Sequence, residues 1–431
     1  MQKKLQKLTI LTILLLFLFT YGQQVFAQTA KPEVTSESAI LVDNYTGTVI
    51  YEKNIDEKMY PASTTKILTA ILAIENCSLT DTATASYDAI MSVPNGYSVG
   101  AIQVGEKLSI ENLLEVLLVH SANDAANVLG EHVGGSIDSF ASIMNTKALE
   151  IGCKNSHFVN PSGKHDDNHY TTARDLALIM QYCMKNDTFR RISSMRSCTL
   201  PATDKSAERT FKTTVEILIP DSRDVPYNYY YPYAIAGKTG FTTEAKNCLV
   251  SVSKKDDLEL TSVILGSDKT PEGYSARFLE TKAIYNYGFD NYAIKQLAHT
   301  GDIVDKIDVP LATPETKELN LSLAEDILVF CKKDEDLSKI TPEISLYDNI
   351  KAPLAEGSEL GTITYTVEGV TYSTKLLSAN RVEKSPIITY AILICSIIVI
   401  IFIIILVIIL TKTKKDKPQS RKRKLKKARH N

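Results

Sequence analysis

The 431-residue sequence lacks several patterns that would assign it at once to a class of protein. Its seven cysteines include no C-x-x-C pair, which argues against a zinc site or a dithiol redox motif. It contains no fixed-period repeat and no low-complexity stretch. Hydrophobic residues make up 44% and charged residues 23% of the chain, which excludes disordered and collagen-like proteins. We therefore expect folded domains in which the cysteines are core thiols.

Apolar stretches without charge stand at both ends of the chain. Residues 1–27 begin with lysines, continue through an apolar run and end in V-F-A, which predicts a cleaved export signal. Residues 387–410 contain no charge and are long enough, at about 1.5 Å per residue, to cross a bilayer core of about 30 Å. Residues 411–431 are strongly basic, so this tail is expected to be cytoplasmic. The pattern predicts one transmembrane helix.

The charge is unevenly distributed along the chain. The formal net charge is −2, although the export signal and the tail are both basic. The part between them is therefore acidic, which makes nucleic acid an improbable partner. We expect the basic tail to lie against anionic lipid headgroups beside the predicted span.

The pattern of hydrophobic residues divides the exported part into two predicted domains. Residues 28–292 mix long helical patterns with strand patterns. Residues 293–383 consist of short alternating runs broken by proline and glycine, which predicts a small all-β domain.

A serine and a lysine with catalytic spacing begin the first buried helix pattern. Ser63 and Lys66 are three residues apart and share one face of the first turn. A serine becomes a nucleophile when a neighbouring base takes its proton, and a lysine can be that base when its pKa is lowered. Because S-x-x-K also occurs often by chance, this motif alone is weak.

Two later motifs strengthen the prediction of a nucleophilic site. Ser121 and Asn123 form S-x-N between two predicted helices, the first of which Ser109 can cap. Lys238, Thr239 and Gly240 form K-T-G in a predicted strand. Glycine there permits close approach of another backbone.

The order S-x-x-K, S-x-N, K-T-G, with separations of 58 and 117 residues, is the motif set of penicillin-recognising serine enzymes. The sequence around the motifs indicates one family among these enzymes. The matching segments are Y-P-A-S-T-T-K at 60–66, N-D-A-A at 123–126, F-V-N-P-S-G at 158–163, H-Y-T-T-A-R-D at 169–175 and G-K-T-G-F-T at 237–242. Over about residues 36–383 the chain resembles the low-molecular-mass penicillin-binding proteins that are D-alanyl-D-alanine carboxypeptidases, the peptidase S11 family.

The resemblance implies an α+β fold. Its serine β-lactamase/transpeptidase-like catalytic domain, an antiparallel sheet flanked by helices, would precede the small all-β domain and the C-terminal transmembrane helix. It also implies removal of the terminal D-alanine from peptidoglycan stem pentapeptides, which limits cross-linking, and covalent inhibition by β-lactams. Together with the predicted export signal and span, it implies a bacterial cell membrane location, with a single pass through the bilayer at 387–410 and the catalytic domain outside the cytoplasm. The span departs from the family's common anchor, a terminal amphipathic helix that lies on the membrane surface. The resemblance implies no metal and no cofactor, and it leaves the oligomeric state open.

The family's residue roles transfer by position. Ser63 would attack the carbonyl between the two D-alanines, Lys66 would accept its proton, and Ser121 would help pass that proton to the leaving amine. Backbone N–H groups of Ser63 and Phe241 would form the oxyanion hole. Asn123 would bind the stem-peptide amide, and the terminal carboxylate would be received by Lys238, Thr239 and Arg277, beside Gly240.

Other functions remain possible at this stage. A class A β-lactamase shares the motifs but adds a glutamate with asparagine four residues later, a pattern absent from 121–238. A catalytically inactive wall-binding penicillin receptor is a second alternative. His165 and His169 flank carboxylates and could suggest zinc, but the surrounding proline, glycine and aspartate predict a loop.

One segment departs from the family pattern. Residues 211–232 lack the usual N-x-N-x-L text and are rich in tyrosine. The departure concerns the local substrate groove and leaves the reaction itself unaffected.

Overall fold

The computed structural model describes residues 29–220 and 228–415. The predicted export signal at 1–27 and most of the basic tail, 416–431, lie outside the described residues. By internal contacts the chain forms two compact units, the first of which extends to Ile294 and also includes Phe330–Glu335. The sequence boundary at 292 and 293 did not assign that short segment to the first unit.

The helices are α1 (Lys66–Asn76), α2 (Tyr87–Met91), α3 (Ile110–Val119), α4 (Asn123–Gly134), α5 (Ile137–Ile151), α6 (Ala173–Cys183), α7 (Asp187–Ser193), α8 (Ala276–Asn291) and α9 (Pro386–Lys415). The strands are β1 (Ser38–Asp43), β2 (Val49–Lys53), β3 (Thr82–Thr84), β4 (Lys107–Ser109), β5 (Ser197–Leu200), β6 (Arg209–Lys212), β7 (Ala234–Thr242), β8 (Lys246–Lys255), β9 (Leu258–Ser267), β10 (Tyr292–Ala298), β11 (Ile303–Asp308), β12 (Glu318–Leu323), β13 (Ile327–Lys332), β14 (Glu343–Leu346), β15 (Glu359–Val367) and β16 (Val370–Ser378).

A five-stranded antiparallel sheet, in the order β2-β1-β9-β8-β7, is the centre of the first unit. Neighbouring residues of β1 face opposite sides of this sheet, as the period of two requires. Ile40 and Val42 join one hydrophobic cluster with the helices α1 and α3 to α7. Ala39 and Leu41 join a second cluster with α8. The sheet is therefore covered by helices on both faces, and β7 is left as an edge strand.

The loop between α3 and α4 is fixed by local capping. The Ser109 hydroxyl accepts a hydrogen bond from the Asn112 N–H, as the sequence predicted for the start of α3. Helix α3 ends at Val119 and α4 begins at Asn123, where the sequence pattern predicts a start at Asp124. Only a short turn therefore separates two buried helices, and the S-x-N motif runs from this turn into the first residue of α4.

The second unit contains a five-stranded antiparallel sheet in the order β11-β12-β16-β15-β14. Alternate residues of its strands are buried, as in Leu319 and Leu321 of β12. The α+β catalytic fold followed by a small all-β domain is thus confirmed. Five of the cysteines are buried, as expected for core thiols: Cys153, Cys183, Cys198, Cys248 and Cys331.

Helix α9 contains the predicted membrane span. Within the described residues it is the one helix long and apolar enough to cross a bilayer, over Tyr390–Lys412. Its isoleucine and leucine side chains from 392 to 410 are exposed, unlike those of a core helix. The finding is compatible with a membrane anchor.

Candidate active site

Ser63 lies at the start of a buried helix, in a 3₁₀ turn formed by Ala62–Thr65. The turn runs directly into α1, whose first residue is Lys66. Ala62 has a φ of 47°, in the left-handed region that residues other than glycine rarely adopt. Such strained positions cluster at functional sites because the surrounding structure must hold them.

The Lys66 side chain is fully buried and makes three hydrogen bonds. Its Nζ lies 2.8 Å from the Ser63 Oγ, 2.9 Å from the Asn123 Oδ1 and 2.6 Å from the Ser162 carbonyl oxygen. Burial, and then the positive charge of Lys238, lower the pKa of Lys66 well below its usual value. The nearby Asp124 opposes this shift, but its carboxylate accepts hydrogen bonds from backbone N–H groups.

The three partners of Lys66 fit either protonation state, since an ammonium can donate to all three, with the Ser63 Oγ accepting. In the neutral amine two hydrogens remain. The Asn123 Oδ1 and the Ser162 carbonyl can only accept hydrogen bonds, so they take the two hydrogens of an uncharged amino group. The lone pair is then left for the third partner, the Ser63 hydroxyl, which can donate. Lys66 can therefore act as a base toward Ser63 without any rearrangement of its partners.

Ser121 lies in the turn between α3 and α4, and Asn123 is the first residue of α4. Ser121 has a φ of 67°, so it is, after Ala62, a second residue of the site in the left-handed region. Asn123 donates from Nδ2 to the Ser98 carbonyl, 2.9 Å away, while its Oδ1 accepts from Lys66. Both amide atoms of Asn123 are thus oriented by fixed partners.

The edge strand β7 brings K-T-G against the nucleophile. A Cβ atom on Gly240 would lie 2.9 Å from the Pro61 carbonyl oxygen and 3.1 Å from the Ser63 nitrogen. A side chain at this position would therefore push the strand away from Ser63. Glycine permits the close approach that the sequence predicted.

Lys238 is a second buried cation. Its ammonium donates to the Thr239 carbonyl at 3.0 Å. Burial, with a further contribution from Arg277, lowers the pKa of Lys238 to about 7. The Thr239 hydroxyl lies 2.5 Å from the Thr214 hydroxyl.

Arg277 enters the site from the first turn of α8. Its Nη1 donates to the carbonyl oxygens of Gly240 and Cys248 at 3.1 and 3.3 Å, and its guanidinium lies 4.7 Å from the centre of the Phe278 ring. In the described part of the chain its Nε has no hydrogen-bond partner. Burial lowers the pKa of Arg277, although an arginine stays charged near neutral pH.

These residues surround a single cleft of about 600 Å³. The predicted site residues that line it are Ser63, Ser121, Asn123, Thr239, Gly240, Phe241 and Arg277. The remaining two, Lys66 and Lys238, are buried behind its wall, with exposed fractions of 0% and 1%. Phe241 is 64% exposed at the cleft. The structure thus brings together every residue that the motifs selected.

The histidine pair does not resemble a zinc site. Residues 165–169 form a loop, and within the described ranges no group of histidine, cysteine and carboxylate side chains could hold a metal ion. His169 is buried, contacts the Thr65 hydroxyl through Nε2 at 2.8 Å and accepts from the Val159 N–H through Nδ1. Burial lowers its pKa to about 3, so His169 is a neutral structural residue.

Sequence reasoning missed three contributors to the site. The Ser162 carbonyl holds Lys66, but a backbone acceptor has no sequence signal beyond the N-P-S-G text around it. Asp124 ties the start of α4 to the backbone of Gly100 and Ile102. Thr214 contacts Thr239 from a segment where the family pattern is absent.

Comparison with known proteins identifies the family of the chain. A family model described as D-alanyl-D-alanine carboxypeptidase matches residues 25–269, and one described as the C-terminal domain of penicillin-binding protein 5 matches residues 292–384. The chain is 30% identical over 385 residues to the D-alanyl-D-alanine carboxypeptidase DacF of Bacillus subtilis, covering 87% of this chain and 94% of that protein.

Solved structures show the same architecture. Penicillin-binding protein 5 from Haemophilus influenzae matches with a TM-score of 0.63 at 24% identity, over 83% of this chain and all of the other, which shows the fold. A D-alanyl-D-alanine carboxypeptidase from Mycobacterium tuberculosis H37Rv matches with a TM-score of 0.54 at 27% identity, over 61% of this chain and 94% of the other. The chain belongs to the D-alanyl-D-alanine carboxypeptidase family of penicillin-binding proteins, peptidase family S11.

Proposed function

We propose that the chain is a serine-type carboxypeptidase that removes the terminal D-alanine from peptidoglycan stem pentapeptides through an acyl-enzyme at Ser63. The observation that carries this proposal is the buried Lys66 Nζ, which lies 2.8 Å from the Ser63 Oγ in surroundings that lower the pKa of Lys66. Its product, a shortened stem peptide, can no longer donate in cross-linking, so the reaction limits cross-linking of the wall.

Acylation follows from these positions. Lys66 takes the proton of Ser63 as the Oγ attacks the carbonyl between the two D-alanines. The backbone N–H groups of Ser63 and Phe241 stabilise the developing oxyanion, which the close approach of Gly240 to Ser63 supports. The proton then passes from Lys66, with the help of Ser121, to the leaving D-alanine amine. Water hydrolyses the resulting ester and restores the Ser63 hydroxyl.

Substrate binding uses the two sides of the cleft. Asn123, with its amide oriented by Ser98 and Lys66, binds an amide of the stem peptide. The terminal carboxylate lies against Thr239 and Arg277, which line the cleft, and Lys238 adds a second positive charge from behind the cleft wall. Neither cation forms a salt bridge with a carboxylate among residues 29–220 and 228–415, which leaves both charges available to an anionic ligand.

β-Lactams acylate the same serine, because their carbonyl and carboxylate meet the groups that bind the peptide. The two remaining alternatives have less support. The Glu and Asn pattern that a class A β-lactamase needs for deacylation is absent between S-x-N and K-T-G. An inactive receptor does not require a buried amine 2.8 Å from the Ser63 Oγ.

We further propose that residues 387–410 anchor the protein in a bacterial cell membrane. The export signal at 1–27 would place the catalytic unit outside the cytoplasm, and the basic tail would remain inside.

Removal of the nucleophile or its base tests the chemistry. Ser63→Ala abolishes labelling by a fluorescent penicillin and hydrolysis of a D-Ala-D-Ala peptide, because no ester can form. Lys66→Ala lowers the acylation rate by about 10² to 10⁴, the usual contribution of a positioned base. Ser194→Ala, at an exposed serine away from the cleft, is the matched control. Specific labelling of Ser63→Ala would show that the nucleophile is misassigned.

The pKa of Lys238 predicts how carboxylate recognition depends on pH. Lys238 is charged below its pKa of about 7 and neutral above it, so its attraction for a carboxylate weakens as the pH rises through 7. We expect the ratio of kcat/KM for a peptide acid to that for its C-terminal amide to fall over this range. Titration of Lys66 changes kcat/KM for both substrates alike, so its effect cancels in the ratio. A constant ratio would contradict the assignment of Lys238.

Protease accessibility tests the topology. A protease added outside spheroplasts should digest the bulk of the chain and spare a fragment containing residues 387–431, detected by an epitope on the tail. Rupture of the spheroplasts should then remove the epitope. Protection of the catalytic unit in intact spheroplasts would overturn the proposed orientation.

A further inference from the structure

The Thr214 hydroxyl is fixed against Thr239. The two oxygens lie 2.5 Å apart, and both residues line the cleft. Thr214 follows strand β6, and its N–H donates to the Val119 carbonyl at 3.2 Å. Val215 packs against β7, since a Cβ on Gly237 would lie 2.8 Å from the Val215 Cγ1. The backbone on both sides of the pair is therefore held in place.

The number of hydroxyl hydrogens limits how this pair can act. Each threonine hydroxyl has one hydrogen to donate, and at this distance one hydroxyl donates to the other. When a carboxylate occupies the site, the Thr239 hydrogen points to it, because the carboxylate is the strongest acceptor present. The Thr214 hydrogen must then point to the Thr239 oxygen. The result is a chain from Thr214 through Thr239 to the carboxylate, in which each bond polarises the next.

We propose that Thr214 is a positioning residue that holds the Thr239 hydroxyl as a donor and so contributes to the preference for a free carboxylate over an amide. An amide N–H in the same place needs an acceptor. The Thr239 oxygen keeps one lone pair for that N–H while it accepts from Thr214, but the polarised Thr239 hydroxyl gains less from a neutral amide than from a carboxylate. This inference rests on the proposed function and adds a residue to it, at the segment where the chain departs from the family's N-x-N-x-L text.

The test compares an acid and an amide substrate in the full chain with Thr214→Val. Valine keeps the shape of threonine and removes the hydroxyl. We expect kcat/KM for the peptide acid to fall about tenfold, the effect of one lost hydrogen bond of ordinary strength, while kcat/KM for the amide changes little. The acid-to-amide ratio therefore falls, mainly through KM. Thr214→Ser restores the hydroxyl and with it most of the ratio.

A matched control is available on the neighbouring hairpin. The Thr199 and Thr210 hydroxyls also pair, at 3.0 Å, but are exposed and do not line the cleft. Thr210→Val removes one hydroxyl of this pair and should leave the ratio unchanged. An equal loss on acid and amide in Thr214→Val, or an unchanged ratio, would overturn the proposal, since a merely structural role affects both substrates alike.

A second probe separates this inference from the proposed function. Benzylpenicillin carries a carboxylate, and its methyl ester does not. Thr214→Val should lower the acylation rate of the acid relative to the ester, as it does for the peptides. If the wild-type chain is acylated by penicillin but hydrolyses no peptide, the carboxypeptidase proposal fails while the penicillin ratio still tests Thr214. A wild-type chain that reacts with neither class of compound overturns both.

Discussion

The chemistry of the cleft depends on two buried lysines, Lys66 on α1 and Lys238 on β7. Neither forms an ion pair with a carboxylate in the described part of the chain. An ammonium that loses its hydration in this way is strongly destabilised relative to the neutral amine. The two charges also repel each other, and Arg277 adds to the repulsion at Lys238. Asp124, whose charge opposes the lowered pKa of Lys66, accepts hydrogen bonds from backbone N–H groups. Burial and repulsion thus lower the pKa of Lys66, so that it can act as a base. The positive charge of the site remains available to an anionic substrate.

Close backbone packing holds the 3₁₀ turn that carries Ser63. Gly240 lets the edge strand β7 approach the Ser63 nitrogen. Gly163 lets the N-P-S-G loop approach the 3₁₀ turn at Ala62. A Cβ on Gly163 would lie 1.8 Å from the Ala62 carbonyl oxygen, and its φ of 80° is unfavourable for other residues. The same loop supplies the Ser162 carbonyl that accepts from Lys66. The nucleophile is therefore held between a strand and a loop that only glycine allows to come so near.

The sequence predicted the parts of this site that have local signatures. The start of α1, the cap at Ser109, the short S-x-N turn and the K-T-G strand each have a pattern of a few residues, and the structure contains all of them. Residues that act through distant contacts had no such pattern. The Ser162 carbonyl and the Thr214 hydroxyl reach the site from 96 and 25 residues away from their partners, Lys66 and Thr239. The assignment of Phe330–Glu335 to the first unit likewise depends on packing between remote parts of the chain.

The protonation state of Lys66 is the most direct test of the account. Lysines labelled with ¹³C at Cε can be titrated by NMR, with the Lys66 signal identified by its loss in Lys66→Arg. The account predicts that Lys66 loses its charge at a pH well below 10.5, the pKa of an ordinary lysine. A Lys66 signal that stays in the charged position until the pH approaches 10.5 would contradict the claim that this buried amine is the base for Ser63.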